Sequence, residues 1–207
     1  AWYLVTQHHV KPLVVRFDNG FLRPGVLANT ELAISKLGVE FINYKPDWGV
    51  VRKVMRQAFL RKGDFCWHCH TGVFAFPMHM AIKHQVPLII WGQANSEYNA
   101  FYRQGEQEEV DETRFNRYVN LGLTAEDMVG MAKVELEALW PFTYPNRQAL
   151  IDLGYRSVNL GAYIPWDVKK QTAIIERELG WKPDRNENIP PGYEYEKIEC
   201  FIQSSRD

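Results

Sequence analysis

Short β-branched runs alternate along the first half of the chain with longer segments whose apolar positions recur every three or four residues. The first pattern belongs to buried strands and the second to helices packed by one face. Residues 1–9 have the pattern of a helix, and Leu13-Val14-Val15-Arg16-Phe17 that of a strand ending in the turn signal Asp18-Asn19-Gly20. Pro24 suits a first helical turn. Val26, Leu27, Leu32, Ala33, Ile34 and Leu37 then form one helical face, stopped by Gly38. Residues 39–44 return as a strand. Asp47 is a natural N-cap for a helix carrying Val50, Val51, Val54, Met55, Ala58 and Phe59 on one side and closing at Lys62-Gly63. A further helix is predicted over residues 71–85, with Pro77 near its start or kinking it, and a strand over residues 86–91 ending at Gly92.

Strand, helix, strand, helix, helix, strand is the order of parallel strands joined by crossover helices, which predicts an α/β fold with a doubly wound, mostly parallel sheet. Ligands of such sheets bind at the carboxyl ends of strands. Here those ends are Asp18-Asn19-Gly20 and the segment from Gly92 to Glu97. Beyond residue 98 the pattern changes. Residues 106–120 are polar and charged, 124–139 read as a helix, 141–145 as a loop, 157–160 as a short strand and 167–179 as a helix stopped by Gly180. The expected organisation is therefore an α/β region with a ligand-binding edge over 1–97 followed by a mainly helical region over 98–207.

Composition narrows this picture. With 46% apolar and 24% charged residues, the chain is expected to be globular, burying roughly 70% of the surface its unfolded form exposes. The net charge of −1 supplies no chain-wide field for a phosphate backbone or an anionic membrane, so nucleic acid is not the expected partner, although a local basic patch is compatible with it. No run approaches the roughly 18 apolar residues of a membrane span. Three cysteines make an odd and sparse set, which argues against a disulfide scaffold and for a reducing, cytoplasmic setting. The opening residues carry neither an initiator Met nor a basic leader and read like the middle of a helix, so the sequence is expected to begin inside a longer chain.

Cys66-Trp67-His68-Cys69-His70 is the densest group of reactive side chains. Two thiols three positions apart can converge on a metal, form a redox dithiol or, with His next in line, spell a haem-attachment motif. They can also be inert thiols in a helix-entry loop. The metal reading is preferred because Cys200 could fold back to supply a third thiolate. Other candidates have plain readings beside the chemical ones. Asp18-Asn19-Gly20 is a ready turn, Gly92 a tight corner and Glu97 a solvated loop acid. Trp166, Asp167, Lys169 and Lys170 combine into either a sugar and phosphate contact or a helix cap with exposed lysines.

Four segments taken in order carry a resemblance. They are Val15-Arg16-Phe17-Asp18-Asn19-Gly20-Phe21, the block from Cys66 through Thr71-Gly72-Val73-Phe74-Ala75-Phe76-Pro77, Pro87-Leu88-Ile89-Ile90-Trp91-Gly92 and Ile164-Pro165-Trp166-Asp167-Val168-Lys169-Lys170. Together they resemble the N-acetyl sugar amidotransferases, PP-loop ATP pyrophosphatases of bacterial surface-polysaccharide (lipopolysaccharide O-antigen) biosynthesis, along nearly all 207 residues. The resemblance implies an adenine nucleotide alpha hydrolase-like sheet and a sequence that starts just after the family's phosphate-binding Ser-Gly-Gly-x-Asp-Ser loop. It implies ATP with Mg²⁺, and conversion of an acetamido group on a nucleotide-linked sugar into an acetamidino group through an adenylated intermediate and ammonia. Phe17, Asp18 and Asn19 would edge the adenosine pocket, Gly92 would let the backbone approach the nucleotide, and Glu97 would be the catalytic acid. Trp166, Lys169 and Lys170 would hold the nucleotide-sugar. Ammonia would come from a separate glutaminase through a synthase subunit of the kind used in histidine biosynthesis. The same segments are similar to tRNA thiolation enzymes, which implies the alternative of an iron–sulfur cluster on Cys66, Cys69 and Cys200, with zinc completed by His68 or His70 close behind. A redox or haem-binding module on Cys-x-x-Cys-His is the alternative from another class.

Overall fold

A computed structural model describes residues 1–92 and 112–183, and shows a mixed α/β protein with short parallel strand pairs. In chain order the elements are α1 (Trp2–His8), β1 (Val14–Phe17), α2 (Pro24–Leu37), β2 (Phe41–Tyr44), α3 (Trp48–Lys62), α4 (Trp67–His84) and β3 (Leu88–Trp91). After them come α5 (Glu112–Arg114), a π-helical turn (Phe115–Val119), α6 (Ala125–Ala132), a 3₁₀ segment (Leu136–Phe142), α7 (Arg147–Leu153), β4 (Arg156–Asn159) and α8 (Val168–Leu179). The chain forms two compact units, Ala1–Asn43 with the described part of Pro165–Asp207, and Tyr44–Ile164. No helix among the described residues is long and apolar enough to cross a membrane.

The first unit is built on β1–α2–β2. β1 pairs with β2, and the Val14 amide donates to the Glu40 carbonyl at 2.9 Å to start the ladder. Arg16 lies over the Phe41 ring at 5.2 Å and donates from Nε to Asn43 Oδ1, so one guanidinium fastens the two strands. α2 starts on Pro24, whose missing N–H costs nothing in a first turn, and packs against α8. Asn29 on α2 binds the Lys182 backbone twice. Its Nδ2 donates to the carbonyl and its Oδ1 accepts the amide, which satisfies chain that has left α8 and has no helical partner.

The second unit is organised by α4, an 18-residue helix with nine buried positions. α3 lays Val51, Val54 and Ala58 against it, at the three- and four-residue spacing of a single helical face. α3 begins at Asp47, whose Oδ1 accepts the Val50 amide at 2.9 Å. A Cβ on Gly49 would stand 2.9 Å from that same oxygen, so the cap itself demands glycine there. On the other side of α4 lie Phe115 of the π-helical turn and Leu139 and Phe142 of the 3₁₀ segment, all fully buried. β3 pairs in parallel with β4 from Leu88 opposite Arg156 to Trp91 opposite Asn159.

Two elements depart from the sequence expectation. α4 begins four residues earlier than residue 71, because Trp67 and His68 are wholly buried and the helix is the geometry that turns both inward with Thr71 and Gly72. Pro77 sits inside α4 and leaves the Val73 carbonyl without its usual partner there. The helix expected over 124–139 stops at Ala132, where Lys133 adopts φ 52°. The chain resumes as a 3₁₀ turn, which stacks Leu139 and Phe142 three apart and accommodates Pro141. Thr124 nevertheless caps as expected, in a reciprocal box with Asp127.

Trp67 joins these layers chemically. Its buried Nε1–H donates to the carbonyls of Asn120 at 3.1 Å and Leu123 at 2.9 Å. Trp67→Phe keeps most of the ring volume but takes the indole donor from the Leu123 carbonyl, while the Asn120 carbonyl keeps the Leu123 amide at 3.0 Å, so urea unfolding should show a loss of about 1–3 kcal/mol. Trp67→Ala adds a cavity and should cost about 3–5 kcal/mol.

Candidate functional site

The corner after β1 is built from side chains that serve the backbone. Phe17, Asp18 and Asn19 are all buried. Asp18 Oδ1 accepts the Gly20 amide and Asn19 Oδ1 accepts the Phe21 amide, each at 2.9 Å, giving two overlapping Asx turns. Gly20, at φ 84°, is the residue that lets the chain reverse before α2. The structure thus brings Phe17, Asp18 and Asn19 together at the carboxyl end of a strand, with one Asp18 oxygen engaged by the turn.

Gly92 follows β3 in the other unit and is exposed. Among the described residues a Cβ placed there would meet nothing, so the described fold does not itself require glycine at this point. Glu97 and Cys200 lie outside the described residues. Trp166 is half-buried and Lys169 and Lys170 are exposed, in the same unit as Asp18. Asp167 caps α8 by accepting the Lys170 amide at 3.1 Å, and its other oxygen lies 3.3 Å from the Lys170 ammonium. The backbone bond, more than the ammonium, holds the Asp167 carboxyl below its ordinary range.

Cys66 is the N-cap of α4 and is buried, while Cys69, within the first turn, is half-buried. Asp64 Oδ1 accepts the Cys66 amide at 3.0 Å and the Cys66 carbonyl accepts the His70 amide at 2.9 Å. Both thiols therefore stand at the N-terminal end of a long helix. Among the described residues no three His, Cys, Asp or Glu side chains converge as a metal site. Cys66 and Cys69 alone do not make one.

Farther along α4, an aromatic belt within this unit joins Tyr44, α4 and the 3₁₀ segment. Tyr44 stacks on Phe76 with centroids 4.6 Å apart, Trp140 sits edge-on to Tyr44, and His79 meets Trp140 at 5.4 Å. Burial and the Asp47 charge raise the Tyr44 phenol above 10.0. With its proton on Nε2, His79 donates to the Thr143 carbonyl at 3.0 Å. Burial lowers the His79 pKa below 6.5, and the carbonyls of Thr143 and Trp140 offset part of that. Beside the belt a cleft of about 280 Å³ is lined by Phe115, Asn116, Asn120, Phe142 and Tyr144, with Glu112 and Glu126 among its polar residues. Sequence reasoning did not anticipate this cleft. Its walls come from a π-helical turn and a 3₁₀ segment, whose periods leave no distinctive apolar pattern.

No protein-family model matches this chain, and no curated protein matches it.

Because the folded state disfavours protonated His79, the unfolded chain takes up the proton first as pH falls. Stability should be fully present above pH 6.5 and decline below it until the folded-state pKa is passed. Urea titrations between neutral and mildly acidic pH should show this slope, and His79→Gln, which keeps an amide donor, should flatten it.

Proposed function

We propose that this chain is part of an ATP-dependent, AMP- and pyrophosphate-forming amidotransferase acting on an acetamido group of a nucleotide-linked sugar in bacterial surface-polysaccharide biosynthesis. In this reading the mixed α/β architecture is of the doubly wound, adenine nucleotide alpha hydrolase-like kind. The observation that supports it most directly is the β1–α2 corner, where Phe17, Asp18 and Asn19 are buried together at the carboxyl end of a parallel strand. That is where open α/β sheets take nucleotides.

An acetamido carbonyl is a poor electrophile because amide resonance and a poor leaving group oppose attack. Its oxygen would attack the α-phosphorus of ATP, forming an O–P bond as pyrophosphate departs. Ammonia would then add to the activated carbon, lose a proton and expel AMP with the former amide oxygen, leaving an amidine. Positioning and charge neutralisation dominate the protein's part in such chemistry. Phe17, Asp18 and Asn19 would edge the adenosine, Gly92 would allow close backbone approach, Glu97 would act as the acid, and Trp166, Lys169 and Lys170 would contact the nucleotide-sugar. Ammonia would be delivered from separate glutaminase and synthase subunits.

The test is mass spectrometry of nucleotide-linked diacetamido sugars incubated with ATP, ammonium and the purified full-length protein. Replacement of an amide oxygen by NH with release of pyrophosphate is expected. Transfer of sulfur to tRNA instead would replace this reading by the thiolation one.

Asp18→Asn separates role from scaffold. The amide oxygen can still accept the Gly20 N–H, so stability should stay within about 0.5 kcal/mol while ATP affinity falls. Equal ATP affinity in calorimetric titrations of that variant would remove Asp18 from the site.

A further inference from the structure

The net charge of −1 conceals an uneven distribution. α3 and the turn after it, residues 48–63, carry Arg52, Lys53, Arg56, Arg61 and Lys62 and no acidic residue, and all five cations are exposed. Among the described residues none of them forms an ion pair. The next acid, Asp64, is turned back into the protein. One of its oxygens accepts the Cys66 amide at 3.0 Å and the other is buried.

Apolar side chains project from the same corner. Phe59 is 44% exposed, Leu60 65% and Phe65 46%. The two rings stack on each other with centroids 4.1 Å apart and planes within 14°. α3 buries its opposite side, Val51, Val54 and Ala58, so this apolar tip is surplus to the core. Arg56, Arg61 and Lys62 lie within about one turn of Leu60, and their long stems can keep their charges level with the tip.

We propose that the end of α3 and its turn form a peripheral docking corner for an anionic lipid surface, with Leu60, Phe59 and Phe65 entering the headgroup boundary and the five cations facing lipid phosphates. Apolar and aromatic side chains set among Lys and Arg are the composition of interfacial membrane contacts. A diffuse negative surface complements a cluster that has no fixed acid partner among the described residues. Single-stranded nucleic acid fits less well, because the Phe59 and Phe65 rings already cover one face of each other and aliphatic Leu60 offers no stacking surface. The inference is independent of the ATP reading.

The experiment is co-sedimentation of the full chain with vesicles of phosphatidylcholine alone or with phosphatidylglycerol added, at low and high salt. Binding should require the anionic lipid and weaken with salt. Each of Arg56→Gln, Arg61→Gln and Lys62→Gln should weaken it roughly fivefold. Leu60→Ser should weaken it about tenfold without changing its salt dependence. Far-UV circular dichroism and melting check that each single variant remains folded, and any one folded cation variant together with Leu60→Ser suffices. Absence of binding to the anionic vesicles, equal binding to neutral ones, or indifference to these substitutions would overturn the proposal. So would tighter binding to a labelled single-stranded oligonucleotide, or self-association in sedimentation equilibrium that Leu60→Ser abolishes.

Discussion

The indole of Trp67 sets the geometry of the larger unit. A buried Nε1–H must find an acceptor, and it finds two backbone carbonyls, those of Asn120 and Leu123, in chain that has just left the π-helical turn. Meeting that requirement pins α4 to the segment leading into α6 and commits the first turn of α4 to helix, since only there does the ring point inward beside Thr71. The early start of α4 and the placement of Cys66 as its cap follow from this one side chain. The thiols are thereby held at a helix N-terminus rather than in a loop.

Burial on the other side of α4 is shared among aromatic rings of unlike parentage. Tyr44 closes β2, Phe76 and His79 ride on α4, and Trp140 belongs to the 3₁₀ segment. Ring contacts of this kind are tolerant of angle, which is why a helix interrupted by Pro77 can pack against a segment that is itself irregular. His79 adds a directional bond to the belt, to Thr143. Burial disfavours the charged ring at this position, while the Thr143 carbonyl works against that shift.

Charge is handled differently in the two units. In the smaller one Arg16 spans β1 and β2, and the exposed Lys170 leans on its own helix cap. In the larger one α3 collects cations on a face that the core does not need. A helix whose apolar stripe is narrow, three buried positions in fifteen residues, leaves most of its circumference open to whatever charge the sequence supplies.

Local chemistry was sufficient to read β1, α2, β2, α3 and α8 from the sequence. Their periodicity is strong and their ends carry Pro24, Asp47, Asp167 and stop glycines, signals that act within one turn of the chain. The buried Asp18-Asn19-Gly20 corner was legible for the same reason. What only the tertiary structure decided were the features that depend on distant partners: the start of α4 at Trp67, the break after Ala132, the pairing of β4 with β3 and the cleft beside Phe115. In each, the cost of an unfavourable local geometry is offset by burying a large side chain or satisfying a buried polar group elsewhere in the chain, and neither term is written in the neighbouring residues.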